Sequence, residues 1–288
     1  MKNFLKKKRK PCLFRKIVND GFLFFSFLWY FKVNQKLVEG GCVMAVSGFL
    51  QENRVSVVSA VLAVIFIILT PIVSIIGGFA AVSEVTTGDV ATGAVAAGGT
   101  VVIAVVFALI SAILQAVVLY QWGNVINNNI KNTKHIFTHA KDQLQDPLRG
   151  EIGFFVNRLE DFLVQAWPFY IYLVLYIIAQ FVGWYSFLLY LIGFVFLAIY
   201  LSNIFKATSK VSDMKDKIYS YLKGAKGYNS ESYIFRIPPR SVALVIILSV
   251  ITLGIYWAYI LIKLSMEINE YVASDEKVRP ELEKMLTT

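Results

Sequence analysis

The amino-acid sequence predicts an all-α fold: a polytopic transmembrane helical bundle of five spans with amphipathic cytoplasmic helices. Hydrophobic residues make up 57% of the 288 residues and charged residues only 16%, with a mean hydropathy of +0.62. Soluble domains carry about 25% charged and about 45–50% apolar residues, so this composition excludes an ordinary soluble domain. The sequence also contains several uncharged stretches of about 20 residues or more, the length that crosses a bilayer as a helix.

These apolar stretches define the five predicted spans. Val55–Gly77, Thr100–Trp122 and Ser241–Leu264 each have the length of one crossing. Residues 167–205 form a longer uncharged stretch, about 58 Å as one helix, which exceeds a single crossing. Because Gly183–Ser186 lies near its centre and is typical of a turn, we expect two helices there, joined as a hairpin.

Loop charges predict the orientation in a cell (cytoplasmic) membrane. Residues 78–99 contain no Lys or Arg, whereas residues 123–166 and 206–237 contain many. Lys and Arg near span ends stay on the cytoplasmic side, so the N-terminus and both long loops are expected inside. An odd number of spans then places the C-terminus outside. The alternative is that Leu253-Gly254 breaks the last span into a re-entrant hairpin, which would return the tail to the cytoplasm.

Composition divides the chain into three regions. Residues 1–43 form a basic, aromatic N-terminal extension with ten Lys and Arg against two acidic residues. This extension is either a juxtamembrane anchor on anionic headgroups, a secretory signal without a recognisable cleavage site, or a mis-called start before Met44. Residues 44–237 form a four-span membrane region that includes both long loops. Residues 238–288 form the last span and a polar C-terminal tail.

Small and aromatic residues mark predicted packing faces and span ends. Small side chains at four-residue spacing, and a glycine in the last span, favour close helix packing inside the bundle or in a homodimer. The predicted packing residues are Ala104, Ala108, Ala112, Ala116 and Gly254. Tryptophan and tyrosine at span ends are typical of interfacial anchors. The predicted anchors are Trp122, Trp167, Trp184, Tyr256 and Trp257.

Two cytoplasmic segments have the apolar spacing of amphipathic helices. The first, Glu151–Trp167, is expected to lie in the membrane plane before the chain enters the third span. The second, Lys206–Gly224, is expected to be a helix with one apolar side. That side consists of Val211, Met214, Ile218 and Leu222.

Residue patterns for catalysis or cofactor binding are weak in this sequence. His135 and His139 have i, i+4 spacing, which can hold a metal, but solvated histidines are the commoner outcome. Apart from Lys263, next to the end of the last one, the predicted spans contain no Asp, Glu, Lys, Arg or His, which argues against proton relays and ion-coupled transport. Gln115, the deepest amide, is expected to hydrogen-bond between helices. We therefore expect no catalytic residue, no cofactor and no nucleic-acid partner.

The C-terminal region carries one family resemblance. Thr252, Leu253, Gly254, Ile255 and Tyr256, followed by Glu267 and Asn269, give the pattern Thr-Leu-Gly-Ile-Tyr with a later Glu-x-Asn element. Roughly residues 238–272 resemble domain of unknown function 4234, a prokaryotic and archaeal membrane family with that pattern. The resemblance implies an inner-membrane protein of unknown activity. It assigns no catalytic residue and leaves residues 1–237 without a family.

These observations together predict a non-enzymatic integral membrane protein with a structural, assembly or partner-binding role. Its expected partners are the lipid bilayer and either another protein or a second copy, bound through the small-residue helix faces. The alternative function is a facilitator or channel for a small neutral solute, which can work without charged residues. A membrane enzyme ranks third, because an acid, base or metal site should be visible in the sequence.

Overall fold

The computed structural model describes residues 52–86, 90–226 and 234–287, and this part of the chain is helical without β-strands. The basic extension 1–43 and the candidate start at Met44 lie outside the described residues. Seven α-helices follow one another in the described part. They are α1 Val57–Thr86, α2 Val90–Asp142, α3 Leu148–Arg158, α4 Trp167–Ala179, α5 Ser186–Lys226, α6 Val242–Ile251 and α7 Ile255–Thr287. The predicted all-α fold class is confirmed.

Four segments of the described chain are long and apolar enough to cross a membrane. They are Val57–Ala80, Gly98–Asp142, Leu148–Ala179 and Ser186–Lys223. The chain is therefore a membrane protein by the length and composition of its helices. The fifth apolar helix, α6, has 10 residues and a length of about 15 Å, half of a hydrocarbon layer about 30 Å thick.

The last apolar segment is a helical hairpin. Leu253 and Gly254 have positive φ angles of 51° and 90°, so the helix stops between α6 and α7 and the chain reverses. Arg240, before α6, contacts Glu267 in α7 at 2.6 Å, although one straight helix would separate these residues by about 40 Å. The predicted single span Ser241–Leu264 is therefore wrong, and the alternative break at Leu253-Gly254 is correct.

The hairpin brings the C-terminal half of α7 to the end of the bundle where α1 begins. Arg279 pairs with Glu52, and Arg54 pairs with Glu276. The expectation that the C-terminal tail lies opposite the long loops is therefore wrong, since a reversal of direction replaces the last crossing. We call this end the head, defined as residues 52–55, 123–166, 206–226, 234–240 and 265–287.

The head has an apolar core because α2, α5 and α7 continue beyond their apolar parts as unbroken helices. Its fully buried side chains include Ile130, Phe137, Ile152, Ile218, Leu222, Val278 and Leu282. Burying each such side chain contributes about 1.5–3 kcal/mol. The predicted amphipathic helix Lys206–Gly224 is confirmed as part of α5, with Val211 and Ile218 on its buried side.

Residues 148–166 run back along α2 toward the apolar helices. Lys134 of α2 pairs with Glu160 at 2.5 Å. Asn127 exchanges two hydrogen bonds with the backbone of Val164, at 2.7 and 2.9 Å. The expectation that Glu151–Trp167 lies in the membrane plane is wrong, because α2 and α5 cover its apolar side.

The helices α1 and α2 form a close-packed apolar pair. A Cβ at Gly77 would lie 2.1 Å from Oγ1 of Thr100, so a larger residue cannot occupy this position without displacing α2. Nearer the head, the Ser111 hydroxyl of α2 donates a hydrogen bond to the Ala63 carbonyl of α1 at 3.1 Å. Such polar contacts fix the register of helices that hydrophobicity alone does not hold together in lipid.

Candidate functional site

The turn between α6 and α7 is built by the pattern Thr-Leu-Gly-Ile-Tyr. The Thr252 hydroxyl donates to the Leu248 carbonyl at 2.7 Å and accepts from the Tyr256 backbone N–H at 2.9 Å. This side chain therefore links the last turn of α6 to the first turn of α7. Leu253 is 93% exposed, and Ile255 is exposed beside it.

Gly254 allows the backbone conformation that this turn requires. Its φ of 90° lies in the region that favours glycine, and no described atom lies within 4 Å of the position a Cβ would take. The interpretation of Gly254 as a helix-packing residue is therefore wrong. The residue is required by the reversal of the chain, since a side chain would find space but the backbone would be strained.

The base of the hairpin is held by the Glu-x-Asn element. Both carboxylate oxygens of Glu267 accept hydrogen bonds from the Arg240 guanidinium, at 2.6 and 2.7 Å, and these bonds raise the pKa of Arg240. Asn269 accepts from the Val55 backbone N–H at 2.7 Å and donates to the Val55 carbonyl at 2.9 Å. Glu267 thus closes the hairpin, and Asn269 joins it to the chain entering α1.

A cavity of about 400 Å³ lies between the hairpin and helices α2, α4 and α5. Its lining is mostly apolar, and none of the lining residues carries a charge. Its polar side chains include Gln115, Tyr172, Tyr176, Tyr190, Ser249 and Trp257. The volume lies within the range of about 300–1,000 Å³ that is usual for ligand sites.

Hydrogen bonds between helices fix the position of the hairpin on the bundle. Trp257 of α7 donates to the Gln115 side-chain carbonyl of α2 at 2.9 Å, so the expected role of Gln115 between helices is confirmed. The Gln115 amide also donates to the Ser111 hydroxyl at 3.1 Å. Closer to the head, Trp122 donates to the Ser265 hydroxyl at 2.8 Å.

A family model matches the hairpin and the rest of α7. Residues 240–287 match the family model of the Domain of unknown function (DUF4234). The match includes the predicted pattern from Thr252 to Asn269 and covers about a sixth of the chain. No curated protein matches the chain, and no solved structure does.

The DUF4234 segment also contributes half of a buried polar cluster in the head. Lys215 of α5 forms an ion pair with Asp275 and donates to the Asn129 side-chain carbonyl at 3.0 Å and the Tyr271 hydroxyl at 2.8 Å. Asn129 also donates to Asp275 at 2.8 Å. Burial raises the pKa of Tyr271. The cluster holds α2, α5 and α7 together through Oδ2 of Asp275, whereas the buried Oδ1 of Asp275 has no hydrogen-bond partner among the described residues.

The structure separates the four alanines of the predicted packing stripe. Ala104 is buried, and with the exposed Ala108 it borders a groove between α1 and α2. Ala112 and Ala116 line the cavity. One half of the stripe thus lies against α1, and the other half leaves space beside the DUF4234 hairpin. A homodimer through this stripe stays a prediction.

The predicted interfacial anchors occupy different environments. Trp122 is fully buried and Trp257 lines the cavity, so the anchor interpretation is wrong for both. Trp167 is 48% exposed at the start of α4, a position compatible with an anchor. Tyr256 is half-buried, and the side chain of Trp184 lies outside the described side chains.

The two histidines do not gather metal ligands around them. His135 is exposed, and His139 lies 3.2 Å from the Gln143 amide nitrogen. Asp142, the nearest acidic residue in sequence, lies 3.6 Å from both Lys141 and Arg149. Among the described residues no group of three or more His, Cys, Asp or Glu could hold a metal.

Sequence reasoning missed the buried pair Lys215–Asp275, although the sequence contained a signal for it. Lys215 lies on the apolar side of α5 with Val211, Ile218 and Leu222. Asp275 occupies the corresponding position on the apolar side of α7. The apolar side of α7 also includes Tyr271, Val278 and Leu282. Two opposite charges, each in an apolar stripe with helical spacing, indicate that the stripes face each other.

The head carries an exposed aromatic and basic surface, which we call the Phe154 patch and define as Phe154, Phe155, Arg158 and Lys217. Phe154 is 52% exposed, with the Arg158 guanidinium 4.4 Å from its ring centroid. Lys217 lies 5.5 Å from the ring centroid of Phe155, which packs edge-to-face on Phe154. Both cations lie at distances typical of cation–π contacts.

The Phe154 patch is distant from the apolar helices. Its neighbour Gly153 packs against Lys141, where a Cβ would lie 3.2 Å from the lysine side chain. Lys141 follows Trp122 by 19 residues on α2, a separation of about 28 Å along the helix. The Phe154 patch therefore lies beside the polar half of α2, well past the stretch Thr100–Trp122 that has the length of one crossing.

Proposed function

We propose that the protein is a non-enzymatic membrane protein of a prokaryotic cytoplasmic membrane, and that its head lies in the cytoplasm and binds a protein partner. The observation that carries this proposal is the Phe154 patch. Aromatic and arginine side chains are enriched at the centres of protein interfaces, and an exposed Phe stacked with Arg has that chemistry. The many Lys and Arg residues of 123–166 and 206–237 support the cytoplasmic orientation of the head.

The proposal is tested by site-specific photo-crosslinking in cells. A photoreactive amino acid replaces Phe154 in the full chain, and a matched control carries it at Glu270, an exposed position of α7 in the same head. We expect one discrete crosslinked product from position 154 that is lost when Arg158→Ala is added. The product is then identified by mass spectrometry. Equal products from both positions, or none from position 154, would refute the proposal.

The second candidate function is a facilitator for a small neutral solute. The observation in its favour is the uncharged cavity beside the hairpin. A mostly apolar lining makes this cavity a poor host for a hydrated solute, which is why the partner-binding role ranks first. Flux of glycerol and urea into proteoliposomes tests the candidate: a rate above that of empty vesicles supports it, and an unchanged rate removes it.

A further inference from the structure

The polar groups that line the cavity fall into two sets. In the first set, the protein itself satisfies the hydrogen-bonding atoms. The Ser249 hydroxyl donates to the Val245 carbonyl at 2.6 Å. The Gln115 side chain accepts from Trp257 and donates to Ser111. These groups keep the cavity walls in place and need no ligand.

The second set consists of tyrosine hydroxyls. Within the described part of the chain, the hydroxyls of Tyr172 and Tyr176 have no hydrogen-bond partner. Their rings lie 6.0 Å apart, and Tyr190 is 5.7 Å from Tyr176. The Tyr190 oxygen accepts from Gln180 at 2.6 Å, and its own O–H is still able to donate. The cavity therefore presents hydroxyl donors without matching acceptors, and such groups are costly inside a membrane.

The depth of these hydroxyls restricts the class of ligand. Tyr172 and Tyr176 follow Trp167, at the start of α4, by five and nine residues, about 8 and 14 Å along the helix. Phospholipid headgroups lie outside the hydrocarbon layer, which is about 30 Å thick. An acceptor that reaches these tyrosines must therefore belong to a molecule whose polar end enters the hydrocarbon layer, and such a molecule is uncharged.

We propose that the cavity binds the carbonyl-bearing end of a neutral lipid-phase molecule, with Tyr172 and Tyr176 as hydrogen-bond donors. Quinone rings and the esters of neutral glycerides share this chemistry. The volume of about 400 Å³ is in the range of small-molecule sites and is large enough for a ring or an ester group. Val250 and Leu253, 65% and 93% exposed at the hairpin tip, form a rim through which such a molecule enters from the lipid.

The test uses the full-length protein in phosphatidylcholine nanodiscs and decylubiquinone as the probe. The quinone quenches tryptophan fluorescence at short range, and Trp257 lines the cavity. We expect saturable quenching that is lost in Trp257→Phe, above a linear background from quinone dissolved in lipid. The double variant Tyr172→Phe/Tyr176→Phe should bind about tenfold or more weakly, since it loses two hydroxyl donors. The matched control Tyr170→Phe, on the outer side of α4, should bind as the unchanged protein does.

Cavity volume supplies an independent arm of the experiment. Ala112→Phe places a ring in the cavity and should abolish saturable quenching, whereas Ala108→Phe, on the same helix outside the cavity, should leave it unchanged. Size-exclusion chromatography confirms folding, and the tyrosine variants keep the test valid if Ala112→Phe does not fold. Displacement of the quinone by dioleoylglycerol assigns the site to neutral glycerides, and lack of displacement assigns it to quinones. Quenching that is linear, or equal in the tyrosine variants and the unchanged protein, overturns the proposal.

Discussion

The buried ion pair of the head gives the sharpest stability prediction. In Lys215→Met, the Asp275 carboxylate keeps its burial but loses the cation and with it an ion pair. Removing one partner of a buried pair costs about 3–5 kcal/mol. The double variant Lys215→Met/Asp275→Leu removes both charges, and an apolar replacement of a buried pair is often neutral or stabilising. The buried Asn129 and Tyr271 also lose hydrogen-bond partners in the double variant, so we expect its stability to lie between that of Lys215→Met and that of the unchanged protein.

Thermal unfolding in detergent micelles, followed by circular dichroism, measures this difference. For a chain of about this length, 1 kcal/mol corresponds to about 2–4 °C in Tm, so Lys215→Met should unfold at least about 6 °C lower. Lys217→Met, an exposed lysine two residues along the same helix, is the matched control and should change Tm by less than about 2 °C. A double variant as unstable as the two single variants added together would refute the assignment of Lys215 and Asp275 as a coupled buried pair.

Three further predictions concern the hairpin and its surroundings. A reporter enzyme fused after Thr288 should be active on the cytoplasmic side, and activity on the outer side would contradict the hairpin. Gly254→Ala should lower stability by about 1–2 kcal/mol, measured as Tm, because alanine at φ 90° is strained; Gly150→Ala, in a helix with open space, should not. Burial raises the pKa of Tyr271 above 10, so the folded protein keeps the phenol proton at a pH where the unfolded chain has lost it. The contribution of Tyr271 to the free energy of unfolding therefore falls as pH rises above 10. The decline in Tm above pH 10 should therefore be shallower in Tyr271→Phe, and an identical decline would contradict the shifted pKa.

The helices of the membrane region were predictable because hydropathy and length are local properties. Val57–Ala80 and the helix pair around Gly183 follow directly from uncharged stretches of the right length. The same criteria misassigned Ser241–Leu264, because a hairpin and a single crossing have the same hydropathy. What distinguishes them is the positive φ of Leu253 and Gly254 and the pairing of Arg240 with Glu267, a contact between residues 27 positions apart.

The candidate site was less predictable for the same physical reason. Trp122 has the position of an interfacial anchor in the sequence, and it becomes a buried residue because Ser265 of the hairpin segment lies over it. The cavity depends on side chains from α2, α4, α5 and the hairpin, which no local pattern joins. Gln115 was correctly assigned to a contact between helices, because a buried amide in an apolar helix requires a partner whatever the topology.

The hydrogen-bonded pair of Asn269 and Val55 has a consequence for biogenesis. The two residues are 214 positions apart in the sequence, so the entry to α1 lacks its partner until the chain is nearly complete. At a synthesis rate of about 5–20 residues per second, the interval is about 10–40 s. During that time the apolar helices enter the bilayer while the head still lacks α7, and Trp122, Lys215 and Glu52 have no partner from it. A nonsense mutation before residue 240 would therefore produce an inserted protein with an open head, a substrate for membrane proteases rather than a shortened working protein.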